Sequence, residues 1–195
     1  MSATTQPTGV LTAFARFFVD PRASVRAVLD SRPSESRLLA FGMFAAFAVF
    51  VRQTTPIFRS DDGTDAQLAK FIEHLVASLF FLPLGFYLFA VLGTLIARAL
   101  RGQGTWYEGR VAFFWALFLC AVVLIFAQIL FGLFAGWLPP VVLILIWCTA
   151  LVFCPWAMAQ CYAEAFHFTR TWVVFLFTCS PMIVLYIAYA RETLL

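Results

Sequence analysis

The fold is decided by residues 111–163, VAFFWALFLCAVVLIFAQILFGLFAGWLPPVVLILIWCTALVFCPWAMAQCYA, which include no charged side chain. A membrane-spanning helix needs about 20 apolar residues to cross roughly 30 Å of hydrocarbon, so this stretch is too long for one span. Consecutive prolines cannot continue a helix, and Pro139-Pro140 therefore divides it. The sequence predicts a tight hairpin of two spans, at about 111–138 and 141–163.

Three further apolar segments flank this hairpin, at about 38–58, 75–97 and 171–190. The segment at 38–58 is the weakest, because Arg52 lies inside it and must reach the headgroups or face protein. We therefore predict an all-α, polytopic membrane helix bundle. Residues 1–37 form a cytoplasmic amphipathic segment, and residues 38–195 form a five-helix transmembrane domain.

The composition excludes a soluble protein. Hydrophobic residues make up 63% of the chain and charged residues 12%, and the mean hydropathy is +0.92. Soluble domains are nearer half apolar and a quarter charged, so lipid must solvate part of this surface. The formal net charge of +3 is too small to indicate nucleic acid as a partner.

Orientation is predicted from the arginines and lysines in the connections, which are enriched on the cytoplasmic side. Most of them lie before the first span, after the second and after the fourth. We expect a cytoplasmic N-terminus and, with five spans, a periplasmic C-terminus. The basic residues are arginine except Lys70, which hints at a GC-rich bacterial genome and hence at the bacterial cytoplasmic (inner) membrane.

The N-terminal segment contains two short amphipathic helices. The apolar face predicted for the first comprises Val10, Leu11, Phe14, Phe17 and Phe18. Asp20-Pro21 then predicts the N-cap and first position of the second helix, which carries Val25, Val28 and Leu29 on one side. Such a segment either lies in the plane of the headgroups or folds under the bundle and covers helix ends.

Small residues indicate where helices pack. Gly132 and Gly136 form a GxxxG pattern one turn beyond Gln128, and Gly93 and Ala97 have the same spacing. Small side chains let backbones approach closely, and a buried glutamine amide can bridge two helices. The contact would be either within one monomer or with another membrane protein.

Chemical motifs do not favour an enzyme. The chain has no HExxH, no GxSxG and no glycine-rich loop followed by lysine. Glu164 and His167 have the ExxH spacing of a metal-binding pair, but the motif occurs once, so we expect an interfacial polar pair rather than a metal site. We expect no catalytic residue and no cofactor.

A small-solute transporter or channel is the alternative function. Prolines lie centrally in three predicted spans, at Pro83, Pro155 and Pro181, and transporters exploit such broken helices. Spans two to five contain no ionisable residue, however, and Gln128 and Gln160 are their main polar groups. Broken helices without charges make a poor ion site, so transport ranks second.

The order of motifs resembles the bacterial branch of the Ypt/Rab-interacting (Yip) membrane proteins. An aromatic-x-Asp-Pro-Arg element is matched by Phe17, Phe18, Val19, Asp20, Pro21 and Arg22, and a glycine stretch before the third span by Gly102-Gln103-Gly104-Thr105, followed by Arg110 and Trp115. Ala163-Glu164 and Phe168-Thr169-Arg170-Thr171-Trp172 resemble the junction between the last two spans. The Asp-Leu-Tyr-Gly-Pro motif of the eukaryotic members is missing, so Rab binding does not carry over.

The resemblance implies a small, non-catalytic membrane protein that associates with other proteins or shapes the bilayer. Together with the small-residue helix faces, it predicts a structural, scaffold or assembly component of the membrane. An accessory subunit of a larger respiratory or photosynthetic complex is one such role. The expected partners are the lipid bilayer and other integral membrane proteins.

Overall fold

The computed structural model describes residues 9–57, 63–134, 136–172 and 174–176. In chain order the helices are α1 (Val10–Phe17), α2 (Pro21–Asp30), α3 (Glu35–Ile57), α4 (Thr64–Val76), α5 (Leu82–Ala99), α6 (Trp106–Phe134) and α7 (Pro140–Ala165). A π-helical turn, Ala77–Phe81, joins α4 to α5. Within these ranges, four helical runs are long and apolar enough to cross a bilayer: Glu35–Thr54, Thr64–Ala99, Trp106–Phe134 and Val141–Ala165.

These four runs correspond to the first four predicted spans. The hairpin is present, but α6 ends at Phe134 rather than near 138, residues 136–138 form a turn, and Pro140 lies in the first turn of α7. The fifth predicted span, 171–190, lies largely outside the described residues. The part of it that is described, residues 171–172 and 174–176, is helical.

The second run is longer than a span requires. Its 36 residues extend about 54 Å at 1.5 Å per residue, against roughly 30 Å of hydrocarbon. The charged residues Asp65, Lys70 and Glu73 all lie in α4, so α4 is the part that reaches the membrane surface. The predicted span at 75–97 is the remaining, uncharged part.

Pro83 explains the π-helical turn. In a regular α-helix the amide of residue 83 would bond to the carbonyl of Leu79, but proline has no N–H and its ring collides with that carbonyl. Leu82 N–H instead donates to the carbonyl of Ala77, five residues back. The helical run therefore accommodates the proline without a break.

The core lies at one end of the bundle. α6 is the central helix and contacts α2, α3, α5 and α7. Its first half is buried, whereas Phe126, Ile129 and Leu133 in its second half are exposed. α7 runs the other way, and most of its side chains from Ala157 to Ala165 are buried. We call the packed end, formed by α1, α2, residues 100–105 and the end of α7, the motif end, and the other the hairpin end.

The N-terminal helices fold against the bundle. Phe17 is fully buried, with its ring centroid 5.5 Å from that of Trp156 in α7. Ser24 Oγ donates to the carbonyl of Ala13 over 2.6 Å and holds α2 against α1. Asp20 caps α2 as predicted, its Oδ1 accepting from the amide of Ala23 at 3.0 Å.

Only part of the predicted apolar face of α1 is buried. Ala13 and Phe17, four residues apart, form the buried stripe, and Val10 and Phe14 are partly buried beside it. Leu11 and Phe18 were placed on the same face, but Leu11 is 83% exposed and Phe18 is 53% exposed. The bundle covers the stripe at spacing i, i+4, whereas Phe18 reaches α7 through the ring of Phe153, 5.7 Å away, and Leu11 stays outside.

Candidate interaction site at the motif end of the bundle

A buried carboxylate joins the N-terminal segment to the bundle. The side chain of Glu164, near the end of α7, is only 7% exposed. Arg26 of α2 donates from Nε to Glu164 Oε1 over 2.7 Å, and its Nη2 contacts the same oxygen. The hydrogen bond and charge of Glu164 raise the pKa of Arg26 above its usual value. Arg26 is 63% exposed, so only its removal would leave a buried charge, that of Glu164, without its partner; the pair ties α2 to the end of α7.

A second set of polar contacts ties α3 to α6. Arg110 Nη1 lies 2.9 Å from Glu35 Oε1, and both side chains are partly exposed. The hydroxyl of Tyr107 donates to the carbonyl of Pro33 over 2.8 Å. The first turns of α3 and α6 therefore start side by side at the motif end.

The motif glycines lie where the connection from α5 to α6 crosses the end of α7. A Cβ built on Gly102 or Gly104 would stand 2.8 Å from Cδ1 of Phe166 in each case, closer than side chains tolerate. The amide of Gln103, between them, donates to the carbonyl of Phe166 over 3.2 Å. Both positions therefore require glycine because of close approach.

A capping box follows these glycines and begins α6. The amide of Glu108 donates to Thr105 Oγ1 over 3.2 Å, and the amide of Thr105 donates to Glu108 Oε2 over 2.7 Å. This reciprocal pair satisfies two amides that the helix start would leave without partners.

Three helices end at this site in a left-handed residue that is not glycine. These residues are Arg32 after α2 (φ 43°), Arg101 after α5 (φ 66°) and His167 after α7 (φ 57°). After α7, Phe168 N–H donates to the carbonyl of Ala163 and His167 N–H to that of Glu164, which is the Schellman arrangement. Basic side chains at these positions are favoured by the negative end of each helix dipole.

The interfacial pair predicted at Glu164 and His167 is not a pair. α7 ends at Ala165, so the backbone turns before His167, which is exposed, while Glu164 points to Arg26. In the described part of the chain, no group of three His, Cys, Asp or Glu residues is placed to hold a metal ion.

Another glycine contact at this end was not predicted. A Cβ on Gly109, in the first turn of α6, would collide with the side chain of Thr94 in α5 and lie 3.1 Å from Cζ of Phe166. A glycine in the first turn of a span was the only sequence signal for this approach. Gly93, predicted as a packing residue, lies against the ring of Tyr162. A Cβ built on Gly93 would stand 3.0 Å from Cζ of that ring.

The remaining predicted packing residues are distributed between the two ends. Ala97 is buried at the motif end, and its carbonyl accepts from the amide of Gly102 over 2.9 Å. Gly132 and Gly136 lie at the hairpin end, where a Cβ on either meets nothing within 4 Å. Gly136 stands in the turn beyond α6, so the two glycines do not share a helix face, contrary to the GxxxG interpretation.

The motif residues before the first span complete the site. Phe17 is the buried anchor of α1, Asp20 and Pro21 begin α2, and Arg22 Nη2 donates to Thr171 Oγ1 over 2.9 Å. Contacts between residues far apart in the chain, Arg22 with Thr171 and Gln103 with Phe166, thus bring the three motif regions together.

This architecture defines an integral membrane protein, a bundle of apolar helices with an amphipathic segment folded over one end. The model of the Yip1 domain family matches residues 15–191, so the chain belongs to that family. No curated protein and no solved structure matches the chain.

Proposed function

We propose that this chain is a non-catalytic scaffold or assembly component that binds other integral membrane proteins through its motif end. The observation that carries the proposal is an apolar surface held in a fixed position there. Leu11, Phe18 and Val19 are exposed, Val19 by 88%, although the backbone that carries them is anchored by buried Phe17. An exposed apolar patch on a fixed backbone is a surface that a partner can cover.

Polar contacts at the motif end support the orientation that the arginine distribution predicts. Arg26–Glu164, Arg110–Glu35 and Arg22–Thr171 hold the three basic connections at one end of the bundle. By the positive-inside rule we assign this end to the cytoplasm. A bacterial cytoplasmic membrane, membership of the bacterial branch of the family and a periplasmic C-terminus complete the proposal. An accessory role in a respiratory or photosynthetic complex is its most specific form.

Copurification from native membranes in mild detergent tests the proposal. We expect stoichiometric partners with the wild-type chain and their loss when Leu11, Phe18 and Val19 are replaced by serine together. Trp137→Ser is the matched control, because Trp137 at the hairpin end is also 88% exposed. A strictly monomeric wild-type particle, or partners retained by the triple variant, would contradict the proposal.

The triple variant must still elute as a folded particle in detergent, because the four spanning runs keep the chain in the bilayer whatever this patch contacts. Loss of partners from a folded particle supports the scaffold.

Transport of a small solute is the second candidate, because Gln128 borders a cavity of about 380 Å³ between α3, α5 and α6. Gln160, the other predicted polar residue, is not part of its wall. Substrate uptake into vesicles that is abolished by Gln128→Ala would favour transport over scaffolding.

A further inference from the structure

The cavity between α3, α5 and α6 is apolar inside and polar at one end. Its interior is lined by small and apolar side chains, including Ala45, Ala48, Cys120 and Ala121. Arg52, Gln53 and Gln128 also border it. Ala45, Ala48 and Arg52 follow at intervals of three and four residues, so they share one face of α3. The distance from Ala45 to Arg52 along the helix is about 10 Å at 1.5 Å per residue.

The polar end lies near a membrane surface. α3 and α6 start together at the Glu35–Arg110 ion pair. Arg52 is seventeen residues beyond Glu35 and Gln128 eighteen beyond Arg110, and each is therefore about 26 Å from the pair along its helix. Because the hydrocarbon layer is roughly 30 Å thick, Arg52 and Gln128 stand close to the headgroups of the leaflet opposite the motif end.

Arg52 is held in place without a neighbouring carboxylate among the described residues. Its guanidinium carbon lies 5.1 Å from the ring centroid of Trp147 in α7. This cation–π contact holds the arginine at the mouth of the cavity, and a guanidinium that stacks on a ring can still donate from its N–H groups to an acceptor in its own plane. A phosphate group is the acceptor that a planar guanidinium binds best at a membrane surface.

We propose that this cavity binds one acyl chain of an anionic phospholipid, with the lipid phosphate against Arg52. The alanines leave room for the chain, and the arginine, held by Trp147, supplies the opposite charge at the depth where lipid phosphates lie. An apolar interior suits a hydrocarbon chain better than a polar solute, and a cation at its mouth favours lipids with a net negative charge.

Native mass spectrometry in detergent, with added phosphatidylglycerol or phosphatidylcholine, measures this binding. We expect the wild-type chain to bind phosphatidylglycerol more tightly, and Arg52→Gln to weaken that binding about tenfold, the value of one charge-assisted contact. Arg98→Gln is the matched control, since Arg98 lies 5.2 Å over Trp106 but does not line the cavity. Equal binding of the two lipids, or equal loss in both variants, would overturn the proposal.

A second variant tests whether an acyl chain occupies the cavity. Ala48→Leu fills the interior and keeps Arg52, so we expect it to bind phosphatidylglycerol less tightly, while the protein still elutes as a folded particle. If that variant does not fold, competition with glycerol 3-phosphate in the wild type decides. Weak competition by this soluble headgroup supports insertion of the acyl chain. Full displacement of the lipid by millimolar glycerol 3-phosphate would show that the site binds only the anion and would refute acyl-chain binding.

Discussion

The two ends of the bundle use the same residue, glycine, in opposite ways. At the motif end, Gly102, Gly104 and Gly109 stand so close to neighbouring atoms that no side chain fits. At the hairpin end, Gly132 and Gly136 have open space around them. The regular GxxxG spacing therefore belongs to the end where glycine packs against nothing in the described chain, and the irregular glycines make the contacts. Close approach depends on what crosses a glycine, which spacing along one helix does not reveal.

Replacing glycine with leucine at each end tests this difference between the two ends most directly. Gly104→Leu should lower the free energy of unfolding by about 3 kcal/mol, because the new side chain meets the backbone carbonyl of Ala165, which cannot rotate away. Gly132→Leu is the control and should change it little. Unfolding in detergent, followed by size-exclusion chromatography at increasing temperature, measures both.

The double variant Gly132→Leu and Gly136→Leu extends the test to partners. Because both positions are open, we expect unchanged stability. Lost copurification with unchanged stability would assign the glycines to an intermolecular contact, and no change in either would show that the pattern is incidental.

The Arg26–Glu164 pair should matter next, because Glu164 is buried. We expect Arg26→Gln to lower the thermal midpoint clearly, since it leaves a buried carboxylate unpaired, and the added change Glu164→Gln to restore much of the loss. A double variant no more stable than Arg26→Gln alone would show that the carboxylate charge is not the cause.

Loss of the Asp20 cap should have a smaller effect. Asp20→Ala removes the acceptor of the Ala23 amide and should cost about 1 kcal/mol. Asp20→Asn retains an acceptor and serves as the control. Proteolysis of the N-terminal segment offers a local readout, and an equal cleavage rate in both variants would argue against a capping role.

The exposed ion pair at the start of α3 should contribute least. Glu35→Gln leaves Arg110 in contact with solvent, so we expect a change below about 1 kcal/mol that vanishes in high salt. A large loss that persists at high salt would mean that this pair, rather than Arg26–Glu164, organises the motif end.

The sequence predicted the features that depend on local order. Apolar run length indicated the first four spans, Pro139-Pro140 the hairpin, and Asp20-Pro21 the start of α2. It could not predict that Glu164 pairs with Arg26, because no local sequence pattern links two residues so far apart in the chain. The exposed side of α1 was also missed, since hydrophobic periodicity locates an apolar face but not the width that a partner covers.

The π-helical turn has a consequence for sequence comparison. The bond from Leu82 to Ala77 accommodates one residue more than a regular helical turn, and Pro83 removes the amide that the regular turn would need. The extra residue and the proline thus compensate each other. Relatives without proline at this position are expected to carry a one-residue deletion between α4 and α5, and their helices should present the same faces as here.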